Sequence, residues 1–128
     1  MEIVDANIIL RYLLGDSNEL QQKASKIIDE SLCILILEEV LAEVVYVLDR
    51  VYKLERQEIA QTLLLFIKKD NLLLHNQETI SSALLFYSDQ KIDFVDSILL
   101  AYSLDKSNII HTLDKKLLRL INSVKSNS

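Results

Sequence analysis

LCILILEEVLAEVVYVLDRVY, residues 32–52, changes period in its middle. Leu32 to Ile36 is an unbroken apolar run of strand length. From Glu38 onward, Leu41, Val44, Val45 and Leu48 recur at i, i+3, i+4 and i+7, the spacing that lays one apolar stripe along a helix. A buried strand that feeds an amphipathic helix is the unit from which parallel sheets covered by helices are built. The chain repeats this unit on both sides. EIV (2–4), NLLLH (71–75) and NIIHT (108–112) join LCILI as strand candidates. ERQEIAQTLLLFIKK (55–69) carries a second stripe, Ile59, Leu63, Phe66 and Ile67. NELQQKASKIIDE (18–30) turns Leu20, Ala24, Ile27 and Ile28 inward, and QETISSALLFYS, DFVDSILLAYSLD and DKKLLRLIN complete the helical segments. Near-continuous apolar strands imply a sheet buried on both faces. The expected fold is α/β: a three-layer α/β/α sandwich around a central parallel sheet of four or five strands, one domain over residues 1–128.

Composition narrows the chemistry. Half of the 128 residues are apolar and 26% are charged, with no low-complexity run or repeat, as in a compact domain with a real core. Glu38, Glu39 and Glu43 interrupt the longest apolar region, which rules against a membrane span. MEIVDANII places no basic segment ahead of an apolar stretch, and the single cysteine, Cys33, sits within LCILI as a small core residue, so a reducing, cytoplasmic setting is expected. With Gly15 the only glycine, glycine-rich phosphate loops are excluded. His75 and His111 both close strand candidates, no Cys/His spacing suits zinc, and no serine lies in a nucleophile-elbow pattern. The net charge of −5 argues against a broad basic surface for nucleic acid.

Acids at element junctions remain. An open parallel sheet places its ligand crevice outside the carboxyl ends of its strands. Asp5 follows EIV, Asp114 follows NIIHT by two residues, and Asp93 and Asp96 begin a helix. Glu43 lies within the first long helix, about 40° round its axis from Val47 and so beside the apolar stripe. Carboxylates sharing one crevice repel one another unless cations neutralise them. An all-oxygen set suits Mg²⁺ or Mn²⁺, and such an ion would hold a phosphate backbone that an acidic surface repels.

Four strings carry a resemblance. VDANIILRYLLGD, LAEVVYVLDRVYKL, DFVDSILLAYS and HTLDKKL resemble, in order, the four motifs of the PIN-domain family, and within it those of VapC-type toxins of toxin–antitoxin pairs. The resemblance implies that Asp5, Glu43, Asp96 and Asp114 bind one or two Mg²⁺ or Mn²⁺ ions. Asn7 and Thr112 are then polar supports, Thr112 through a hydroxyl that orients a carboxylate or water, and Asp93 an auxiliary ligand. The implied activity is that of an endoribonuclease: hydrolysis of RNA phosphodiesters by a metal-activated water, leaving a 5′-phosphate. The implied partners are a cognate antitoxin and a second copy in a homodimer, with operator DNA reached only through the antitoxin complex, and no membrane. Two features depart from the pattern. The Glu helix is entered by LEE, without the family's Ser or Thr, which leaves Glu38 or Glu39 as auxiliary acids. The chain ends in helical LLRLINSVKSNS, so a terminal fifth strand is in doubt.

Plainer readings stand beside these. Asp114 is equally an N-cap for DKKLLRLIN, and Asp93 with Asp96 imitates a capping box. Arg11, Lys115, Lys116 and Arg119 are either solvated helix charges or contacts to RNA phosphates. The tyrosines suit packing better than base stacking. A PIN-like binding module without catalysis and a housekeeping RNA-processing nuclease are the alternatives. A receiver-like phosphoacceptor is disfavoured, since the third strand candidate ends LLLH rather than in Asp.

Overall fold

The structure is a computed structural model that describes residues 1–15 and 18–127. Asp16, which closes the first motif string, lies outside the described residues. The chain divides into two compact units, Met1–Gln77 and Glu78–Ser128.

The first unit holds a parallel sheet in the order β1 (Glu2–Ile3), β2 (Ile34–Leu35), β3 (Leu72–Leu73). Glu2 pairs with Ile34 and Ile34 with Leu72, while Ile3, Leu35 and Leu73 align on the opposite face. Backbone bonds from Ile34 N–H to Asn71 O at 2.8 Å and from Ile36 N–H to Leu73 O at 2.9 Å carry the pairing past the short ladder. Four helices belong to this unit: α1 (Ala6–Leu14), α2 (Glu19–Glu30), α3 (Glu38–Arg50) and α4 (Arg56–Phe66). α1 packs on α2 and α3, and α3 on α4. Leu41, Val44, Val45 and Leu48 of α3 are all buried, as are Ile59, Leu63, Phe66 and Ile67 along and just past α4. Both stripes thus fall where their periodicity puts them. On α2 only Ala24 and Ile28 are buried; Leu20 lies in the first turn and stays exposed, so the buried stripe is one turn shorter than its spacing implies.

The two-sided burial expected of the sheet is not found. Ile34, Ile36, Leu72 and Leu74 are buried, but their alternates Ile3 and Leu73 are 57% and 47% exposed. β2 and β3 are apolar on both faces and turn only one of them fully to the core, while both residues of β1, Glu2 and Ile3, are exposed.

The α2–β3 junction is held by a single amide. Asn71 Nδ2 donates to Ile28 O at 2.7 Å and to Ser31 O at 2.9 Å, taking up carbonyls that the end of α2 would otherwise leave unpaired. Asn71→Ala is therefore expected to lower stability by about 1–3 kcal/mol, the range for stranding partly buried acceptors, as read by urea denaturation. Nearby, Tyr12 Oη donates to Asp29 Oδ1 at 3.2 Å, Lys69 Nζ lies 3.2 Å from the same oxygen, and the Tyr12 and Phe66 rings are 5.8 Å apart. The bond to Asp29 is the main cause of a raised Lys69 pKa. Tyr12 packs, as its sequence position suggests.

The second unit contains α5 (Gln77–Gln90) from its second residue onward, α6 (Phe94–Tyr102) and α7 (Lys115–Ser126), with α6 packed on α7. Ile92, Leu100, Leu117 and Ile121 form its buried cluster, flanked by Phe86, Leu99, Ile110, Leu120 and Val124. The Tyr87 ring meets Phe94 edge-on at 6.0 Å.

NIIHT does not become a strand, so the sheet has three strands among the described residues rather than four or five. Its burial still alternates: Ile110 packs on the cluster while Ile109 and Leu113 are 75% and 101% exposed. Side chains anchor the segment where ladder bonds would, with Asn108 Nδ2 donating to Tyr102 O and Lys125 Nζ to Asn108 O. Among the described residues no helix is long and apolar enough to cross a membrane.

Candidate functional site

In the first unit the chain passes from β1 through buried Val4 to Asp5, which is the N-cap of α1. Its Oδ1 accepts the Ile8 N–H at 3.0 Å, and Gly15, at φ 65°, closes the same helix in the left-handed conformation that glycine adopts without strain. Asp5 is thereby held at the strand–helix junction, with its carboxylate exposed. Asn7 is exposed in the first turn of α1 and Arg11 lies in its last turn. Glu43 is exposed on α3 beside buried Val44, the border position expected of it. The cap of α3 is Leu37, which offers no side-chain acceptor. Glu38 and Glu39 in the first turn supply instead the negative charge that a helix N-terminus favours.

In the second unit the acids sit at two helix starts. Asp114 caps α7, its Oδ1 accepting the Leu117 N–H at 2.9 Å. Thr112 Oγ1 accepts the backbone N–H of Asp114 at 3.0 Å, so this hydroxyl fixes the backbone beneath the carboxylate rather than the carboxylate itself. Asp93 occupies the N-cap position of α6, but its side chain makes no cap bond. The capping box expected of Asp93 and Asp96 is therefore not formed. Ser97 instead brings both its N–H, at 2.9 Å, and its hydroxyl, at 3.1 Å, to the Asp93 carbonyl. Neither carboxylate is taken up by capping.

Asp96, half-buried in the first turn of α6, feels the others. Partial burial, and then the negative charges of Asp114 and Asp93, push its carboxyl above the usual carboxylate range. Among the described residues no three His, Cys, Asp or Glu side chains are grouped so that they could hold a metal ion. Asp96 feels the charge of Asp114 and Asp93 without the three drawing together into such a group. Oxygen-only donors under mutual repulsion fit a hard divalent cation that keeps part of its water. Asp93, Asp96 and Asp114 are the second unit's donors of that kind.

The four basic residues of α7 separate into two kinds. Lys116 Nζ donates to Lys91 O at 3.3 Å and Lys125 Nζ to Asn108 O at 3.4 Å. Lys115 and Arg119 are exposed one turn apart on the same face, just beyond Asp114. Of the basic residues read as either solvated charges or phosphate contacts, Lys115, Lys116 and Arg119 are all exposed, and Lys116 also bonds back to the backbone of Lys91.

Asp114 combines a cap with a carboxylate, and substitution can part them. Asp114→Ala is expected to lower stability by about 1 kcal/mol through loss of the cap. Asp114→Asn keeps an acceptor for Leu117 and should stay within about 0.5 kcal/mol of the parent while losing the charge. Thermal melts of the two variants make the comparison.

Two features are not legible in the sequence. The capping role of Asp5 is hidden by its place directly after a strand. Lys91, at φ 53°, is a non-glycine residue in the left-handed region, and nothing in the string QKID signals it. A family model described as PIN domain matches residues 3–121, so it takes in all four motif acids. No curated protein and no solved structure matches the chain.

Proposed function

Since the chain belongs to the PIN domain family, whose members are generally nucleases acting on RNA or DNA, we propose that it is a Mg²⁺- or Mn²⁺-dependent endoribonuclease, the toxin of a toxin–antitoxin pair. The observation that carries the nuclease reading is the placement of Asp93, Asp96 and Asp114 at the starts of α6 and α7, where the acids repel one another. Bound there, the cation would activate the attacking water and neutralise charge on the phosphate. The protein's own part is to place the carboxylates. The caps at Asp5 and Asp114 fix where those two side chains stand, each within its own unit. Lys115 and Arg119 take phosphates flanking the scissile bond.

Charge distribution supports an acidic protein that handles RNA locally. Residues 1–77 hold 13 acidic and 8 basic side chains, residues 78–128 hold 6 of each, and α7 holds 4 basic and no acidic ones. The net −5 thus resides in the first unit, while the helix that starts at Asp114 is positively charged. The toxin assignment rests on the order of the four motifs and on the suitability of an acidic protein for a basic antitoxin. A homodimer belongs to the same proposal, and light scattering that finds one chain at every concentration removes it.

The test is incubation with a mixed RNA pool and Mg²⁺ or Mn²⁺, with chelator and Asp5→Asn as controls. Cleavage is expected to stop in both controls. Cleavage that survives the chelator, or is untouched by Asp5→Asn, rules out the mechanism.

A further inference from the structure

The tyrosines suit packing by their place in the sequence, and Tyr46 departs from that expectation, being 61% exposed. It stands on the outward stripe of α3, whose exposed residues are Glu39, Glu43, Tyr46 and Arg50. At about 100° per residue, Tyr46 lies roughly 60° round the helix from Glu43, and Arg50 roughly 20°. The motif acid, the ring and the guanidinium therefore share one face. The Arg50 guanidinium carbon is over the Tyr46 ring, 5.7 Å from its centroid. Arg50 Nε also lies 3.7 Å from Asp49 Oδ2, an exposed pair of the kind that contributes little.

The stretch that follows is basic within a unit that is not. Of the eight basic side chains in residues 1–77, three, Arg50, Lys53 and Arg56, fall within residues 50–56, beside one acid, Glu55. The backbone there turns sharply, with Tyr52 N–H donating to Val47 O at 3.2 Å and Leu54 N–H to Leu48 O at 3.0 Å. Between them Lys53 sits at φ 56°, the left-handed position after a helix that glycine usually fills, and its side chain is exposed. A strained backbone position given to a long cationic side chain points to a use for that side chain.

We infer that Tyr46 is a base-stacking platform for single-stranded RNA, with Arg50 and Lys53 taking the phosphates beside the stacked base. An exposed aromatic ring among basic side chains is how proteins hold single strands, since every base has a face to stack and every phosphate a charge. Arg50 serves both, because a guanidinium packed on a ring keeps its donors at the edge of its plane. Two other occupants fit less well. A two-fold dimer through this face would set Arg50 and Lys53 against their own copies, and a basic protein would meet like charge. The platform rests on the RNA reading proposed above and needs no cation, so binding is read in chelator, where nothing is cut.

Fluorescence anisotropy of a labelled single-stranded RNA of mixed sequence, and of the same RNA in a duplex, is measured for the parent, Tyr46→Leu, Tyr46→Phe and Lys53→Gly. Thermal melts, light scattering and the Mn²⁺ cleavage assay accompany it. Tyr46→Leu is expected to weaken single-strand binding about 5–150-fold, the worth of one stacked base, and to leave duplex binding unchanged. Tyr46→Phe keeps the ring and should bind like the parent. Lys53→Gly should lower the slope of log affinity against log salt by about 0.7, one phosphate contact on a single strand, and melt no lower than the parent. An unchanged slope removes Lys53 from the platform. If the parent binds and Tyr46→Leu binds equally well, the platform is overturned, while cleavage by the parent with Mn²⁺ keeps the nuclease reading. It is overturned too if Tyr46→Leu alters the mass in solution and leaves RNA affinity alone, for the ring then lies between copies. A parent that cuts RNA with Mn²⁺ yet binds no single strand in chelator overturns the platform alone. One that neither binds nor cuts overturns both.

Discussion

Asp96→Asn is expected to abolish RNA cleavage, because the proposed cation would lose a charged carboxylate ligand. The fold should persist, because Asn has the same shape and position 96 is only half-buried. The variant also carries a stability signature of fixed sign. The Asp96 carboxyl is raised in the folded chain by partial burial and by Asp114 and Asp93. A raised carboxyl favours the fold below its unfolded value and loses that contribution as the pH rises through its folded value. In chelator, Asp96→Asn should therefore melt with the parent at low pH and above it at neutral pH. Added Mn²⁺ should reverse the order, since it binds the folded parent and stabilises it by about 2.7 kcal/mol at one hundred times its dissociation constant. Melts at several pH values, with chelator and with Mn²⁺, check all three statements. A neutral-pH melt in chelator that places the variant below the parent would mean that the three acids do not repel.

The second large effect lies in the core. Leu41→Ala, on a side chain 1% exposed at the centre of the α3 stripe, is expected to destabilise the protein by about 2–5 kcal/mol through lost burial and the cavity left behind. Leu65→Ala on α4, where the side chain is 71% exposed, should stay within about 0.5 kcal/mol. Urea denaturation of the pair separates periodicity that is used from hydrophobicity that is not. Equal costs would mean that the α4 surface is covered in solution.

These two leucines show what a sequence can disclose. Leu41, Val44, Val45 and Leu48 fall on one helical face whatever surrounds them, because the period of the helix is local. Burial of that face then follows from its area. Ile109 and Ile110 are as strand-prone as any residue in the chain, but a strand exists only where a second backbone lies alongside. Whether one does is a property of distant residues, so NIIHT has the letters of a strand and is none. The double-sided burial of the sheet failed for the same reason. Ile3 and Leu73 are apolar, and only packing decides that they face outward while Ile34 and Leu72 do not.

At the candidate site the identity of the acids was legible and their local duties were not. Asp5, Asp93 and Asp114 are three aspartates at three helix starts, and any of them could cap. Asp5 and Asp114 do, and Asp93 does not. The choice depends on a side-chain torsion, which a string of letters does not record. The likeness of four short motifs found the family because their order survives where each alone is common. It could not foresee that Lys116 bonds back to the backbone of Lys91, because that bond depends on how two segments of the second unit meet.

The segment from Asn108 to Leu113 has a consequence for handling the protein. Backbone groups outside any ladder, next to side chains as exposed as Ile109 and Leu113, offer an edge on which another chain can add as a strand. In concentrated stocks this is where chains are expected to adhere first. A lysine at position 109, on the outward side of the alternation, would act as a gatekeeper there without touching Ile110 or the acids that follow.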